Sequence, residues 1–387
     1  MRFFLNGFAV FSNSLCLSVI FMSNFTWQRA VVKVGSALIA PDGLHVSAKY
    51  LLPLARFITE SRAAGKEVIV VSSGSIAAGR GRVTINHPAS IAEKQAMAAI
   101  GQMQMMANWQ RFFDCPCAQI LVTADDLRDR TRYVNIKNTL RELLKHEALP
   151  IVNENDTVAV AELKVGDNDN LGAYTALVAQ ADTLIMCSDI DGLYTADPRK
   201  DASATLIPVV DSITPDIYAL AGGAGTSMGT GGMRTKIEAA DKCTHSGIQT
   251  LIVNGRDGKV FDALLKGQCP GTLFTARQSS QTARSLWLTH TLKTRGVIDI
   301  DAGARRAITD RGASLLPSGV TGISGKFVAG DAVELHCDGI ALAKGLALYD
   351  AKDLAQIKGQ KSNQIRHILG YDYGEVIVHR DDLVLLP

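Results

Sequence analysis

The sequence predicts an α/β protein in two parts, a larger domain on a largely parallel sheet and a smaller C-terminal β-barrel. Three observations carry this. From residue 30 the chain repeats a short apolar, β-branched run, a small or polar exit and a helical pattern, the signature of a parallel α/β sheet. Beyond Gly296 it changes to short alternating runs separated by Gly-rich turns, as in small barrels. At 387 residues, 47% of them hydrophobic, it is long enough for about two or three domains with real cores.

In chain order, residues 1–28 come first. Phe3 to Phe21 is mostly apolar after Arg2, but Asn6, Ser12, Asn13 and Ser14 interrupt it and no A-x-A cleavage site follows. Met22 offers a second start, so 1–28 is expected to be an extension outside the fold. No stretch reaches the ~20 uninterrupted apolar residues of a membrane span. Strands are expected at Ala30 to Val34, Glu67 to Val71, Gln119 to Val122, Leu149 to Val152, Thr183 to Cys187 and Thr250 to Val253. Helices fit between them: Val46 to Ala64, stopping at a left-handed Gly65; a Met-rich core or subunit-contact helix over Ala96 to Phe113; Leu171 to Ala181; and Met233 to Ser246, before Gly247. Each strand exits into small, polar or acidic residues. In a parallel sheet such exits converge on one crevice beyond the carboxyl ends of the strands.

Asn153 to Asn170, NENDTVAVAELKVGDNDN, is the densest of these stretches. Two clusters of carboxylates and amides flank Thr157 to Ala161, which alternates like a short strand or hairpin arm. Asp156 suits an ammonium group, and the amides of Asn155 and Asn168 can bond carboxylate oxygens without adding charge. Asn, Asp and Gly are equally ordinary turn residues, so the motif needs its surroundings to mean more.

Residues 278–295 read as a basic linker between domains at 29–277 and 296–387. The net charge of +2 gives no bias toward nucleic acid, and Gly296 onward carries 10 Lys plus Arg against 12 Asp plus Glu, so an RNA-binding patch is not supported by charge. The seven cysteines are scattered without C-x-x-C spacing, which suits a reducing, cytoplasmic setting.

Several chemistries drop out. No Gly-Lys pair is followed by Ser or Thr, so there is no Walker A loop, and G-x-G-x-x-G is absent. The one G-x-S-x-G, around Ser227, follows AGGAG instead of the strand that a nucleophile elbow needs. What remains is a nucleotide cradle: Lys33-Val34-Gly35-Ser36 after the first strand, and Gly229-Thr230-Gly231-Gly232 before a helix carrying Lys236. Two lysines from opposite ends of the domain can then flank a transferred phosphoryl group, where charge neutralisation does most of the work.

K-V-G-S, S-S-G-S, N-E-N-D, K-V-G-D-N-D-N, S-D-I-D-G-L-Y-T-A-D-P and G-T-G-G-M-R-T-K, in that order, resemble the glutamate 5-kinases of the amino acid kinase family. The tail, RGASLLPSGVTGISGKFVAGD and HILGYDYGEVIVHRDD, resembles the PUA domain appended to bacterial members. The resemblance implies a three-layer αβα sandwich followed by a PUA-like barrel, and transfer of phosphate from ATP, with magnesium, to the side-chain carboxylate of L-glutamate at the start of proline synthesis. It implies that Lys33 and Lys236 stabilise the transition state with Asp169 orienting them, and that Ser73, Asp156 and Asn168 hold glutamate. Gly35, Ser188, Asp189, Thr230, Gly231, Gly232, Met233, Arg234 and Thr235, with both lysines, would contact the nucleotide; no residue is assigned as a direct metal ligand. Proline inhibition, a homo-oligomer and hand-over to glutamyl phosphate reductase are implied by resemblance alone. The competing readings are a related kinase acting on another small acid, or an RNA-binding protein acting through the barrel.

Overall fold

The computed structural model describes residues 23–83, 86–159, 168–221, 232–277 and 294–386. In chain order the larger domain contains β1 (Ser23–Asn24), β2 (Arg29–Val34), α1 (Ser36–Ile39), α2 (Leu51–Ala63), β3 (Glu67–Ser72), α3 (Ser75–Arg80), α4 (Ile91–Gln110), β4 (Cys117–Val122), α5 (Ala124–Arg128), α6 (Arg130–Lys145) and β5 (Leu149–Glu154). It continues with α7 (Asn168–Ala179), β6 (Thr183–Ser188), β7 (Val209–Val210), α8 (Pro215–Leu220), α9 (Met233–His245), β8 (Gln249–Asn254), α10 (Gly258–Leu265), β9 (Gln268–Cys269) and β10 (Thr272–Phe274).

Eight strands form one sheet in the order β4-β5-β3-β2-β6-β8-β10-β7. The six strands expected from sequence make its parallel part, from β4 to β8. β10 then runs antiparallel to β8 and pairs with the two-residue β7 at the edge. Because alternate strand residues face opposite sides, β2 sends Ala30, Val32 and Val34 into one core layer and Val31 into the other. The first layer packs α2, α4 and α10 on one face through Phe57, Trp109 and Phe261. The second packs α6, α7 and α9 on the other through Leu140, Leu171 and Ile237, giving the three-layer αβα sandwich. The chain leaves β2 toward β3 on one side, while β6 and β8 extend the sheet on the other, so the point where the strand order reverses lies between β2 and β6.

Some boundaries differ from expectation for local reasons. α2 begins at Leu51, not Val46, which places Pro53 in the first turn where its missing N–H costs nothing. Ahead of it Asp42 accepts from the backbone N–H groups of Leu44 and His45, a turn that competes with helix. Gly65 is left-handed, φ 79°, as expected after α2. α4 begins earlier, at Ile91, behind a Ser90–Glu93 capping box; it buries Met97, Met105 and Trp109 and leaves Ile100 and Met103 exposed. Thr157 and Val158 lie in a turn instead of a strand; residues 160–167, like the G-x-S-x-G serine, lie outside the described residues.

Residues 23–28 correct the expected extension. Phe25 and Trp27 are buried in the first core layer, β1 pairs antiparallel with β9, and the Phe25 N–H donates to the Gly267 carbonyl at 2.8 Å. Two large aromatic side chains that pack on Phe57 and its neighbours bury too much apolar surface to be left outside.

The second domain is a five-stranded sheet of β11 (Gly296–Ile300), β12 (Val320–Gly325), β13 (Ala332–Cys337), β14 (Ile340–Leu346) and β15 (Leu383–Leu385), ordered β12-β11-β13-β14-β15. Its core of Ile298, Leu335, Tyr349 and Leu354 also takes in Val134 from α6. Beside Val134, Lys137 of α6 makes an ion pair with Asp382, both side chains being buried. Among the described residues no helix is long and apolar enough to cross a membrane.

Candidate active site

Lys33 is the fifth residue of β2, and its side chain runs toward the carboxyl end of the sheet beside the reversal of strand order. Asp169 comes from the first turn of α7. The sequence reading treats Asn168 to Asn170 as a loop; they are helical, and an aspartate there is favoured by the helix dipole. Lys236 projects from the first turn of α9. These three residues, far apart in sequence, meet in one buried cluster. Asp169 Oδ1 lies 2.5 Å from Lys33 Nζ, and Oδ2 lies 2.9 Å from Lys236 Nζ. The Thr235 hydroxyl also donates to Oδ2, at 3.0 Å. Asp169 is fully buried, Lys33 is 6% exposed and Lys236 3%. Burial alone would push the Asp169 carboxyl up; the Lys33 and Lys236 ammonium groups overcome it and hold the group at about 2. One carboxylate thus spaces two cations, and the trio carries a net positive charge. Burial pushes the neighbouring Cys187 thiol up to about 12 against the pull of Lys33, so it stays protonated.

A second group lies on the β3–β5 side. Asn168 Nδ2 faces three acceptors, Ser73 Oγ at 2.7 Å, Asn153 Oδ1 at 3.1 Å and the Ser72 carbonyl at 3.3 Å, and shares its two hydrogens among them. Asn153 Nδ2 in turn donates to Gln102 Oε1 on α4 at 3.0 Å. Asp156 Oδ2 accepts from Ser75 Oγ at 3.0 Å. Ser75, Gln102, Glu154, Asn155, Asp156 and Thr157 contribute to the lining of a cavity of about 210 Å³ here, small beside the ~300–1,000 Å³ of drug-sized sites. α4 reaches it because it crosses α3 backbone to backbone: a Cβ on Gly79 would stand 1.8 Å from the Met97 carbonyl oxygen, and one on Gly101 1.9 Å from that of Ser75.

The third group is on the β6–β8 side. Gly35 N–H donates to the Cys187 carbonyl at 3.1 Å, and Gly255 N–H donates to the Ser188 carbonyl at 2.8 Å. Asp189 lies 3.5 Å from the Arg256 guanidinium, and Asp191 accepts from Asn254 Nδ2 at 2.7 Å. Gly232 is the N-cap of α9. Met233 packs on the second core layer, and Arg234 turns away to Glu238 at 3.1 Å. Thr230 and Gly231 lie outside the described residues.

Sequence reasoning placed Ser75 and Asn153 in its motifs without giving either a role of its own, and passed over Gln102 and Arg256. Gln102 left one signal: a polar residue on the inner face of α4, among Met97, Ala98, Gly101 and Met105.

The sequence pattern of the amino acid kinase family matches residues 28–254, from β2 through β8. The chain belongs to the amino acid kinase family. The pattern of the PUA domain matches residues 296–369 of this amino acid kinase. Curated relatives named glutamate 5-kinase are 54% identical in Idiomarina loihiensis, 52% in Salinibacter ruber and 50% in Xanthomonas axonopodis pv. citri. These alignments cover 93%, 93% and 92% of this chain and 98%, 97% and 100% of the relatives.

Proposed function

We propose that this amino acid kinase transfers the γ-phosphoryl group of ATP to the side-chain carboxylate of L-glutamate, forming L-glutamyl 5-phosphate and ADP. A carboxylate oxygen attacks the γ-phosphorus as the bond to the β,γ-bridging oxygen breaks. Both reactants are anions, and the reaction gains most from fixed positive charge placed between them. The observation that carries this reading is the buried Lys33–Asp169–Lys236 cluster, whose carboxylate holds two ammonium groups apart at the point where the strand order reverses. In this reading Lys33 and Lys236 neutralise the transferred group and Asp169 orients them. Ser73, Asp156 and Asn168 hold the acceptor in the β3–β5 group; Gly35, Ser188, Asp189 and the Thr230 to Lys236 segment hold the nucleotide.

The support for glutamate is the name carried by relatives at 50–54% identity, together with a small cavity whose walls include two acidic and several amide side chains. Magnesium would arrive on the ATP phosphates: among the described residues no group of three or more His, Cys, Asp or Glu could hold a metal, and both Asp169 oxygens face lysines. No step is assigned to it. The division into a catalytic domain that takes in residues 23–277, a link at 278–295 and a PUA-like domain at 296–387 belongs to the same proposal. So do a cytoplasmic homo-oligomer, the first step of proline synthesis, proline as inhibitor and a reductase that consumes the product; the sequence resemblance supports them.

Hydroxylamine trapping tests the reaction. Protein, ATP, magnesium and a panel of small acids should yield hydroxamate with L-glutamate alone. Hydroxamate from a different acid would move the acceptor, and none from any acid with folded protein would sink the kinase reading.

A further inference from the structure

We infer that Gln102 donates its Nε2 hydrogen to the α-carboxylate of the acceptor amino acid and so helps set specificity for an α-amino acid. The inference rests on the glutamate reading above. The Ser72 backbone carbonyl can only accept, so the Asn168 atom facing it is the amide nitrogen. That nitrogen also faces Asn153, so the Asn153 atom there is its carbonyl oxygen. The Asn153 nitrogen then faces Gln102, whose oxygen must be the atom that accepts it.

The polarity of three amides follows from one carbonyl, and it leaves Gln102 Nε2 pointing away from the relay. That nitrogen is buried and has no hydrogen-bond partner among the described residues, while Gln102 as a whole is only 7% exposed. A buried N–H pair without an acceptor is costly and calls for one. The residue lines the 210 Å³ cavity with Asn155, Asp156 and Thr157, and Ser75 closes the wall against Asp156. Asp156 supplies negative charge for an ammonium group; Gln102 supplies the donor for the carboxylate on the same carbon. The other end of the relay, Asn168, adjoins Asp169 and the lysines where the reacting carboxylate would lie.

The test uses the full chain with Gln102→Met, which keeps volume and removes the donor, and Gln102→Glu, which keeps the acceptor for Asn153 and places an anion against the carboxylate. Hydroxamate formation gives kcat and KM for L-glutamate. Competition by 4-aminobutanoate, which keeps the reacting carboxylate and the ammonium group but lacks the α-carboxylate, gives a second binding constant. The expected result is a KM for glutamate raised about 10- to 100-fold, the range for a hydrogen bond to a charged group. The KM for ATP and the 4-aminobutanoate constant should stay within about threefold, and kcat should change little beside KM. An unchanged glutamate KM in either folded variant overturns the assignment, as does an equal weakening of 4-aminobutanoate, which marks a purely structural side chain. Failure of the unsubstituted chain to make hydroxamate from glutamate overturns the acceptor reading itself, whereas an active chain with indifferent variants overturns only the role of Gln102.

Discussion

Replacing Asp169 by Asn keeps the shape of the side chain and removes the charge between two lysines. Both ammonium groups are more than nine-tenths buried, so the variant holds two facing cations with no compensating anion at their centre. Breaking a buried pair by removing one partner costs ~3–5 kcal/mol. At roughly 2–4 °C per kcal/mol for a domain of this size, melting should fall by about 6–20 °C. Linkage gives a second figure. The Asp169 carboxyl drops from 3.8 to about 2 on folding. A depressed folded value means stability that is fully present above the unfolded value and is lost as pH falls through the folded one. The gap corresponds to about 2–3 kcal/mol, present above about pH 4 and lost as pH falls through about 2. It is smaller than the substitution cost because protonating Asp169 and deleting it are different perturbations; the amide also lacks a second acceptor for the lysines. Differential scanning calorimetry from pH 7 downward should show the gap between the two proteins narrowing below pH 4. ATP should narrow it at pH 7, since its phosphates supply the missing anion. Turnover should drop by at least ~10²-fold. A folded variant with near-normal turnover, or a melting gap indifferent to acid, would refute the account of the cluster.

Lys236→Ala should lower kcat by ~10²-fold or more, with secondary structure retained by circular dichroism. Asp382→Ala should cost ~3–5 kcal/mol by stranding the Lys137 ammonium, while Lys137→Met with Asp382→Leu should return close to normal stability in urea titrations. Removing residues 296–387 should lower melting for the same reason yet leave measurable turnover, because the proposed catalytic groups all precede residue 296. Gly101→Ala should destabilise by at least ~1–3 kcal/mol, since its Cβ would meet the Ser75 carbonyl oxygen at 1.9 Å, and should raise the glutamate KM by moving α4.

The parallel run of the sheet, β4 to β8, was readable because each of its six strands is an apolar, β-branched run with a polar exit. Those exits do line one edge, with part of Thr123 to Asp126 going to a capping box for α5 instead of a ligand. The antiparallel strand β10 and the two-residue β7 are too short to leave a period. The start of α7 was hidden because Asn and Asp serve both turns and helix N-termini. Lys33 and Lys236 were legible as charges beside glycine-rich strand and helix ends, whereas Asp169, in a stretch that reads as a loop, was marked only by the family resemblance. The amide relay was not, because Ser72, Gln102, Asn153 and Asn168 are joined only by tertiary contacts and no local pattern marks one amide as bonding another. Phe25 and Trp27 were misplaced because the polar Ser23, Asn24 and Gln28 around them masked a strand that pairs with Gln268 and Cys269.

The Lys137–Asp382 contact also has a meaning in the order of synthesis. α6 emerges long before its counter-charge, which follows four of the five strands of the second sheet. Until Asp382 arrives, the helix presents a half-solvated cation and an uncovered Val134 to whatever surrounds the nascent chain, a surface of the kind chaperones hold and proteases sample. A message truncated after the codon for Lys236 but before that for Asp382 would therefore specify every proposed catalytic group and still yield a chain marked for removal, so abundance in the cell would report whether translation had run through the second domain.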